Sequence, residues 1–278
     1  MYIDTVSSKD MDEEGLRKLM VGRELEGDYY RKNYGDSIQD EVVLSVKNVS
    51  VPGILKDISF DLHRGEILGF GGLSESGMHE IGKAIFGASY DRTGSVVLSD
   101  GTQINDIPTA IAHSIAYTSK DRDNESVVMN QSIGDNICLP SLDKLTSGWK
   151  FLSDKAMSDF ANEYAKKMSV KMVNVEQFVS DLSGGNKQKV VLARWIGKDS
   201  DIVVLDSPTR GIDIKVKQDI YNLMAQMIKN GKSIIMISEE LMELIGMCDR
   251  IIIMKDGRIS GEIDRSVEIG ENLSLIHI

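Results

Sequence analysis

"ILGFGGLSESGMHEIGKAIF", Ile67 to Phe86, runs from an apolar strand pattern through a glycine-bounded loop into a helical pattern. In such a segment backbone N–H groups and a helix N-terminus can cradle phosphate. The pattern G-x-x-x-x-G-K-[ST] is present in outline, as Gly72, four residues and Gly77. Met78 stands where the lysine belongs, and His79 where the serine or threonine belongs. Gly72, Ser74, Ser76 and Gly77 keep the cradle, but Met78 is neutral and Glu75 adds a negative charge. At an effective dielectric of about 20, a unit charge about 4 Å away is worth roughly 4 kcal/mol. Two readings stay open: weak nucleotide binding, or a strand–turn–helix that binds none. Lys83, five positions past Met78, is expected to face away from the loop.

Working outward, "VVLSVKNVSV" from Val42 alternates like a strand, and "ISFDLHRGEILGFGG" holds two strands around His63-Arg64-Gly65. The helix after Met78 should end near Gly87, and "GSVVLSDG" and "SIAYTS" are further short strands. From Glu125 to Asp181 the strand pattern stops. There Ser153 suits the N-cap of a helix "DKAMSDFANEYAKKM", with Ala156, Phe160, Tyr164 and Met168 about one turn apart. Alternation resumes with "DIVVLD", "IKVKQDIYNLMAQMIKN", "KSIIMIS" and "DRIIIMKDG". "IVVL" and "IIMI" are apolar on both faces, as central parallel strands covered by helices are. The expected fold is α/β, of the phosphate-loop NTPase type, with an antiparallel β portion near Val42–Gly101 and a helical insertion at about 125–182. The main domain is expected over 40–264. Residues 1–39 hold a short amphipathic helix (Leu16, Leu19, Met20) and a polar linker, "EGDYYRKNYGDSIQDE".

The chain has 278 residues, 41% apolar and 27% charged, enough for one large domain or two small ones. Its 32 basic against 43 acidic residues give −11, which argues against nucleic acid as a main partner, since phosphate backbones need clustered Lys and Arg. Cys138 and Cys248 lack ligand spacing and read as small core hydrophobes. There is no apolar run of membrane-spanning length.

Three later stretches carry a resemblance: "LSGGNKQK" from Leu182, "IVVLDSPTRGID" from Ile202, and "IIMISEELMELIGMCDRIIIMKDG" from Ile234. Their order and spacing resemble the ABC-type ATPases, with L-S-G-G as the signature motif beside a Walker B strand. "KDRDNESVVMNQSIGDNI", "PTRGIDIKVKQDIYNLM" and "DRIIIMKDGRISGEI" are similar to the second nucleotide-binding half of the tandem ATPases of monosaccharide importers, of the ribose, galactose and xylose type. "EEGLRKLMVGREL" resembles the tail of a first half, so the resemblance runs from Glu13 to Asp264. It implies ATP and Mg²⁺ as cofactors. It also implies a first ATPase half, membrane permease subunits and, indirectly, a sugar-binding protein as partners, with the chain peripheral on the cytoplasmic face of the plasma membrane. The final "LSLIHI", Leu273 to Ile278, matches the translation of a transposon-end sequencing adapter. The tail 265–278 is therefore expected to be partly artefactual and the chain a fragment cut at both ends.

The resemblance also implies roles. Asp206 matches the Walker B aspartate that orients Mg²⁺, although His79 is a poor partner for an ion that wants oxygen. Ser207 stands where a catalytic glutamate belongs and cannot act as a general base unaided. Glu239 stands where a γ-phosphate-sensing histidine belongs. Lys120, in the Q-loop region where the family has an acidic residue, either adds positive charge near the phosphates or is a solvated surface lysine, the latter preferred. Ser183, Gly184, Gly185, Asn186 and Gln188 keep the signature intact, and Asp213 falls at the D-loop. In the resembling dimers the signature caps ATP held by the other half, through Ser183 Oγ, Gly185 N–H and the helix dipole. The implied protein is a degenerate half, weakly active or inactive alone, that works in trans. A self-sufficient ATPase, and an ABC-type interaction or regulatory module outside transport, are the competing readings.

Overall fold

The computed structural model describes residues 29–146 and 151–265. The amphipathic segment around Leu16 and the "LSLIHI" tail lie outside the described residues. Strands β1 (Val42–Val51), β2 (Leu55–His63) and β4 (Thr93–Leu98) form an antiparallel sheet in the order β2-β1-β4. A second sheet has the order β5-β6-β7-β3-β8-β9, from β3 (Ile67–Gly72), β5 (Ile115–Thr118), β6 (Ile202–Asp206), β7 (Ser233–Ile237), β8 (Arg250–Lys255) and β9 (Arg258–Asp264). Neighbours from β5 to β8 are parallel, and only β9 runs antiparallel. Every residue of β6 and β7 is buried, as their two-faced apolar pattern requires. The α/β fold with a separate antiparallel portion is therefore as expected. Pairing of Asp206 with Ile237, and of Ile237 with Phe70, brings the carboxyl ends of β6, β7 and β3 to one edge of the sheet. Ligands of open α/β sheets bind at such an edge.

Helix α1 (Met78–Ile85) follows the loop, and α2 (Ile107–Ala112) precedes β5. The insertion contains α3 (Ile133–Cys138), closed by a Ser132–Asp135 capping box, and α4 (Asp154–Lys167), whose Ser153 cap accepts from Ala156 N–H at 3.3 Å. The expected face of α4 packs inward, with Met168 buried and Ala156, Phe160 and Tyr164 lying against the core. Ala161 and Ala165 are fully buried, whereas Ala156, Phe160 and Tyr164 are only partly covered. The alanines let α4 approach α5 (Gly184–Lys198) closely, and Phe160 presses on Gly197, where an added Cβ would meet its ring at 2.6 Å. From α5, buried Arg194 donates to the Asn136 and Ser126 carbonyls, each at 2.6 Å, and to Asn136 Oδ1 at 2.9 Å. One side chain thus ties the signature helix to the insertion.

The polar stretch expected to be a linker is docked where it is described. Arg31 grips Asp249 with two N–H···O bonds of 2.6 and 3.1 Å, both side chains being almost fully buried. Asp249 also accepts from Gly35 N–H at 2.7 Å and from Ile67 N–H at 2.9 Å. Tyr29 and Tyr30 pack on Tyr221 of α6 (Ile214–Lys229), with centroids 5.5 and 5.6 Å away. A buried carboxylate needs such partners, and the connector supplies them.

Candidate functional site

Between β3 and α1 lies the loop Gly72–Gly77, expected to be a phosphate cradle. Gly77 sits at φ +89°, a conformation that glycine adopts without strain, and a Cβ there would meet Ile54 O at 2.9 Å. A Cβ on Gly72 would meet Met254 O at 2.6 Å. Ser76 holds the loop from inside, its N–H donating to Leu73 O at 2.9 Å and its carbonyl accepting from Gly257 N–H at 3.0 Å. Met78, at the lysine position, is wholly buried among core side chains and offers nothing to the cradle.

His79, at the serine/threonine position, reaches across to β6. Its Nδ1 lies 2.7 Å from Oδ1 of Asp206, which is 2% exposed and also accepts from Ser207 Oγ at 3.1 Å. Ser207, where the resemblance implies a catalytic glutamate, holds a left-handed φ of +50° with its N–H on Ile237 O at 2.8 Å. Mg²⁺ takes oxygen ligands in near-octahedral geometry. Here an imidazole stands in place of the hydroxyl and bonds one oxygen of the aspartate, so the pair offers the ion a nitrogen where it wants oxygen. The residues do not fit Mg²⁺.

Glu239, on the loop after β7, closes over the cradle. Its Oε1 accepts from Ser74 Oγ at 2.6 Å and from Lys120 Nζ at 2.6 Å, and His79 Nε2 is 3.2 Å away. Lys120 Nζ also lies 3.1 Å from His79 Nε2 and 3.2 Å from Ser74 Oγ. The Lys120 ammonium, then the Ser74 hydroxyl, pull the Glu239 carboxyl down to about 2. Lys120 is therefore no solvated surface lysine: its ammonium lies beside the loop, bonded to Ser74 and Glu239. Lys83 lines the neighbouring cleft, in which no residue of the Gly72–Gly77 loop takes part, and donates to Glu125 at 2.8 Å. That cleft, about 580 Å³, sets Lys83, Lys120, Arg122 and Arg210 against Asp121, Asp123, Glu125 and Asp206, four cations against four carboxylates. Its charge is internally balanced, unlike a site awaiting a polyanion.

The other expected residues lie apart from this network. Ser183 is the N-cap of α5, with its hydroxyl accepting from Asn186 Nδ2 at 3.0 Å. Asp213 caps α6, accepting from Val216 N–H at 3.0 Å, and its carboxylate lies 3.9 Å from where a Gly185 Cβ would sit. Nothing in the described chain comes closer than 3.6 Å to that Cβ position, so folding does not demand glycine there. Arg122, which sequence reasoning passed over, lies 3.2 Å from the corresponding point on Gly184. Gln188 is buried and lines the cleft, 3.5 Å from Arg122 Nη1. A further residue not foreseen is Glu243 (α7, Leu241–Met247), buried and accepting from Thr209, from Tyr221 at 2.6 Å and from Ser238 at 2.5 Å. It joins the segment after β6 to the loop that carries Glu239.

The family model described as ABC transporter matches residues 55–210. The ribose import ATP-binding protein RbsA of Clostridium perfringens (strain 13 / Type A) is 41% identical over 266 residues, 95% of this chain and 52% of that protein. The xylose import ATP-binding protein XylG of Thermoanaerobacter pseudethanolicus is 40% identical over 269 residues, 94% and 52% respectively. The chain spans about half the length of these relatives. Among solved structures, a nucleotide-free ATP-binding cassette from an ABC transporter superposes with a TM-score of 0.71 at 18% identity, covering 86% of this chain and 99% of its own. A dimeric cassette in a post-hydrolysis state, bound to ADP and Pi, gives 0.68 at 22% identity, covering 80% and 98%. At these identities the likeness is one of fold.

Proposed function

The chain belongs to the ABC transporter family, and from that premise we propose that it is the second, degenerate ATP-binding half of a monosaccharide importer. In this reading it lends its signature helix to ATP held by a first half. The carrying observation is the contact between His79 and Asp206, which spends the metal-orienting aspartate on an imidazole. Met78 and Ser207 remove the phosphate-binding lysine and the carboxylate base from the same site. The signature side keeps its parts: Ser183 at the N-cap of a 15-residue helix, Gly185 unencumbered by its own chain, and Asp213 beside it.

The chemistry of this half is then electrostatic. A hydroxyl, backbone N–H groups and the positive end of the α5 dipole face the phosphate of a nucleotide bound elsewhere and stabilise charge that grows as the terminal bond breaks. The lysine and base come from the first half. The relatives' names, ribose and xylose import, support a monosaccharide as cargo.

Permease subunits are the membrane partners, with a sugar-binding protein acting indirectly and the chain peripheral on the cytoplasmic face. Among the described residues no helix is long and apolar enough to cross a membrane. Six of the eleven exposed large apolar side chains among them, Val128, Leu139, Phe151, Leu152, Val173 and Phe178, belong to the insertion, which supports it as the permease-facing surface. Steady-state ATPase of the tandem protein with its permease, comparing Ser183→Arg with Asp206→Asn, tests the division of labour.

A further inference from the structure

Three groups that nucleotide chemistry would call on in this chain's own site are already bonded to one another. Ser74 donates to Glu239 Oε1 at 2.6 Å, Lys120 donates to the same oxygen at 2.6 Å, and His79 spans from that oxygen (3.2 Å) to Asp206 (2.7 Å). Ser74 belongs to the loop, Lys120 donates to its hydroxyl at 3.2 Å, and one carboxylate oxygen engages both. A carboxylate so held presents what a phosphate oxygen would present: a negative acceptor receiving a hydroxyl and an ammonium.

We propose that Glu239 is a built-in occupant of this chain's phosphate loop, taking the place of a nucleotide phosphate and keeping the site closed without nucleotide or Mg²⁺. The proposal rests on the reading of this half as degenerate and adds to it a cause that a single substitution removes. Three effects act together. The Glu239 charge repels incoming phosphate, the positive charge of Lys120 is already neutralised, and His79 withholds Asp206 from a metal. The same contacts pin the loop after β7 to the loop after β3, so that segment needs no nucleotide to hold its place. Glu239 is 43% exposed at its side chain, so the lock sits at the mouth of the cradle, where a substitution does not disturb the core.

The test is titration calorimetry of the 278-residue chain with ATP, with and without MgCl₂, on the wild type, Glu239→Gln, and Glu239→Gln combined with Lys120→Met. Melting curves confirm that each is folded. Glu239→Gln is expected to tighten ATP binding at least about tenfold, about 1.4 kcal/mol, equally with and without Mg²⁺. Adding Lys120→Met should abolish the gain, because the freed ammonium is what receives the phosphate. A gain below about twofold in folded Glu239→Gln overturns the proposal, as does wild-type chain that binds ATP at least about tenfold more tightly with Mg²⁺ than without. Neither result touches the trans reading, which is measured by turnover of the tandem protein and depends on Ser183.

Discussion

Nδ1 of His79 lies 2.7 Å from Oδ1 of Asp206, although 127 residues separate them. They meet because β3 and β6 flank β7 and end at the same edge of the sheet. In a working phosphate site these two positions are a hydroxyl and a carboxylate with a cation between them. Here they bond directly, and polar contacts continue through Glu239 to Lys120. The departures from the phosphate-loop motif fall at that edge of the sheet, whereas "LSGGNKQK" at the start of α5 matches the signature pattern.

Arg194 links the insertion to α5 with three bonds and no carboxylate among those acceptors. Burial pushes its guanidinium down to about 10, so its charge is tolerated only because those oxygens receive it. Arg194→Ala orphans the Ser126 and Asn136 carbonyls together. Urea denaturation should show a loss of about 3 kcal/mol. A loss under about 1 kcal/mol would mean that the insertion is held by its apolar contacts instead.

Much of the fold was legible from local pattern. The Val42–Val51 alternation is β1, residue for residue, and the two-faced runs at Ile202 and Ile234 are central strands. What escaped depends on contacts between segments far apart in the chain. Lys120 looks like any loop lysine until β5 and the β7–α7 loop bring it to Glu239, 119 residues away. The connector from Tyr29 reads as polar linker because nothing in its composition signals that Asp249 is buried and awaiting Arg31. On α4 the spacing marked the core-packed Ala156, Phe160, Tyr164 and Met168 but missed the fully buried Ala161 and Ala165. The loop, Asp206, His79 and Glu239 were singled out by motif position alone. Their mutual bonding was not, because a motif gives positions along the chain and not the partners a side chain finds.

The lowered Glu239 carboxyl predicts an acid limb in stability. Its folded pKa of about 2 lies below the usual 4.5, so its stabilisation is complete above 4.5 and disappears as pH falls towards 2. Because the side chain is partly exposed, the effect is screened and stays below about 1 kcal/mol. Urea midpoints of the wild type and Glu239→Gln should differ by a constant amount from neutral pH down to about 5 and converge near pH 2. A difference that grew on acidification would contradict the assignment.

If the insertion faces the permease, single cysteines at Val128 and Met129 should crosslink to it in membranes that contain the assembled transporter. Val128 is exposed and Met129 half-buried beside it. Cysteines on the exposed positions of α6, on which the connector tyrosines pack, should not crosslink. Crosslinking from α6 alone would place the membrane on the wrong side of the domain.

The central claim, that this half works on ATP held by its partner, is tested most directly by steady-state ATPase of the tandem protein with its permease. Ser183→Arg puts a bulky cation at the N-cap of α5, and Gly185→Asp puts a carboxylate beside Asp213 where a backbone donor should meet phosphate. Loss of one such donor costs roughly 3 kcal/mol, about a hundredfold in rate. Each variant should cut turnover at least that much. Asp206→Asn, in a site whose aspartate serves an imidazole, should leave turnover within about twofold of wild type. Abolished turnover in Asp206→Asn with unchanged turnover in Ser183→Arg would contradict the account and place the working site on this chain's own loop.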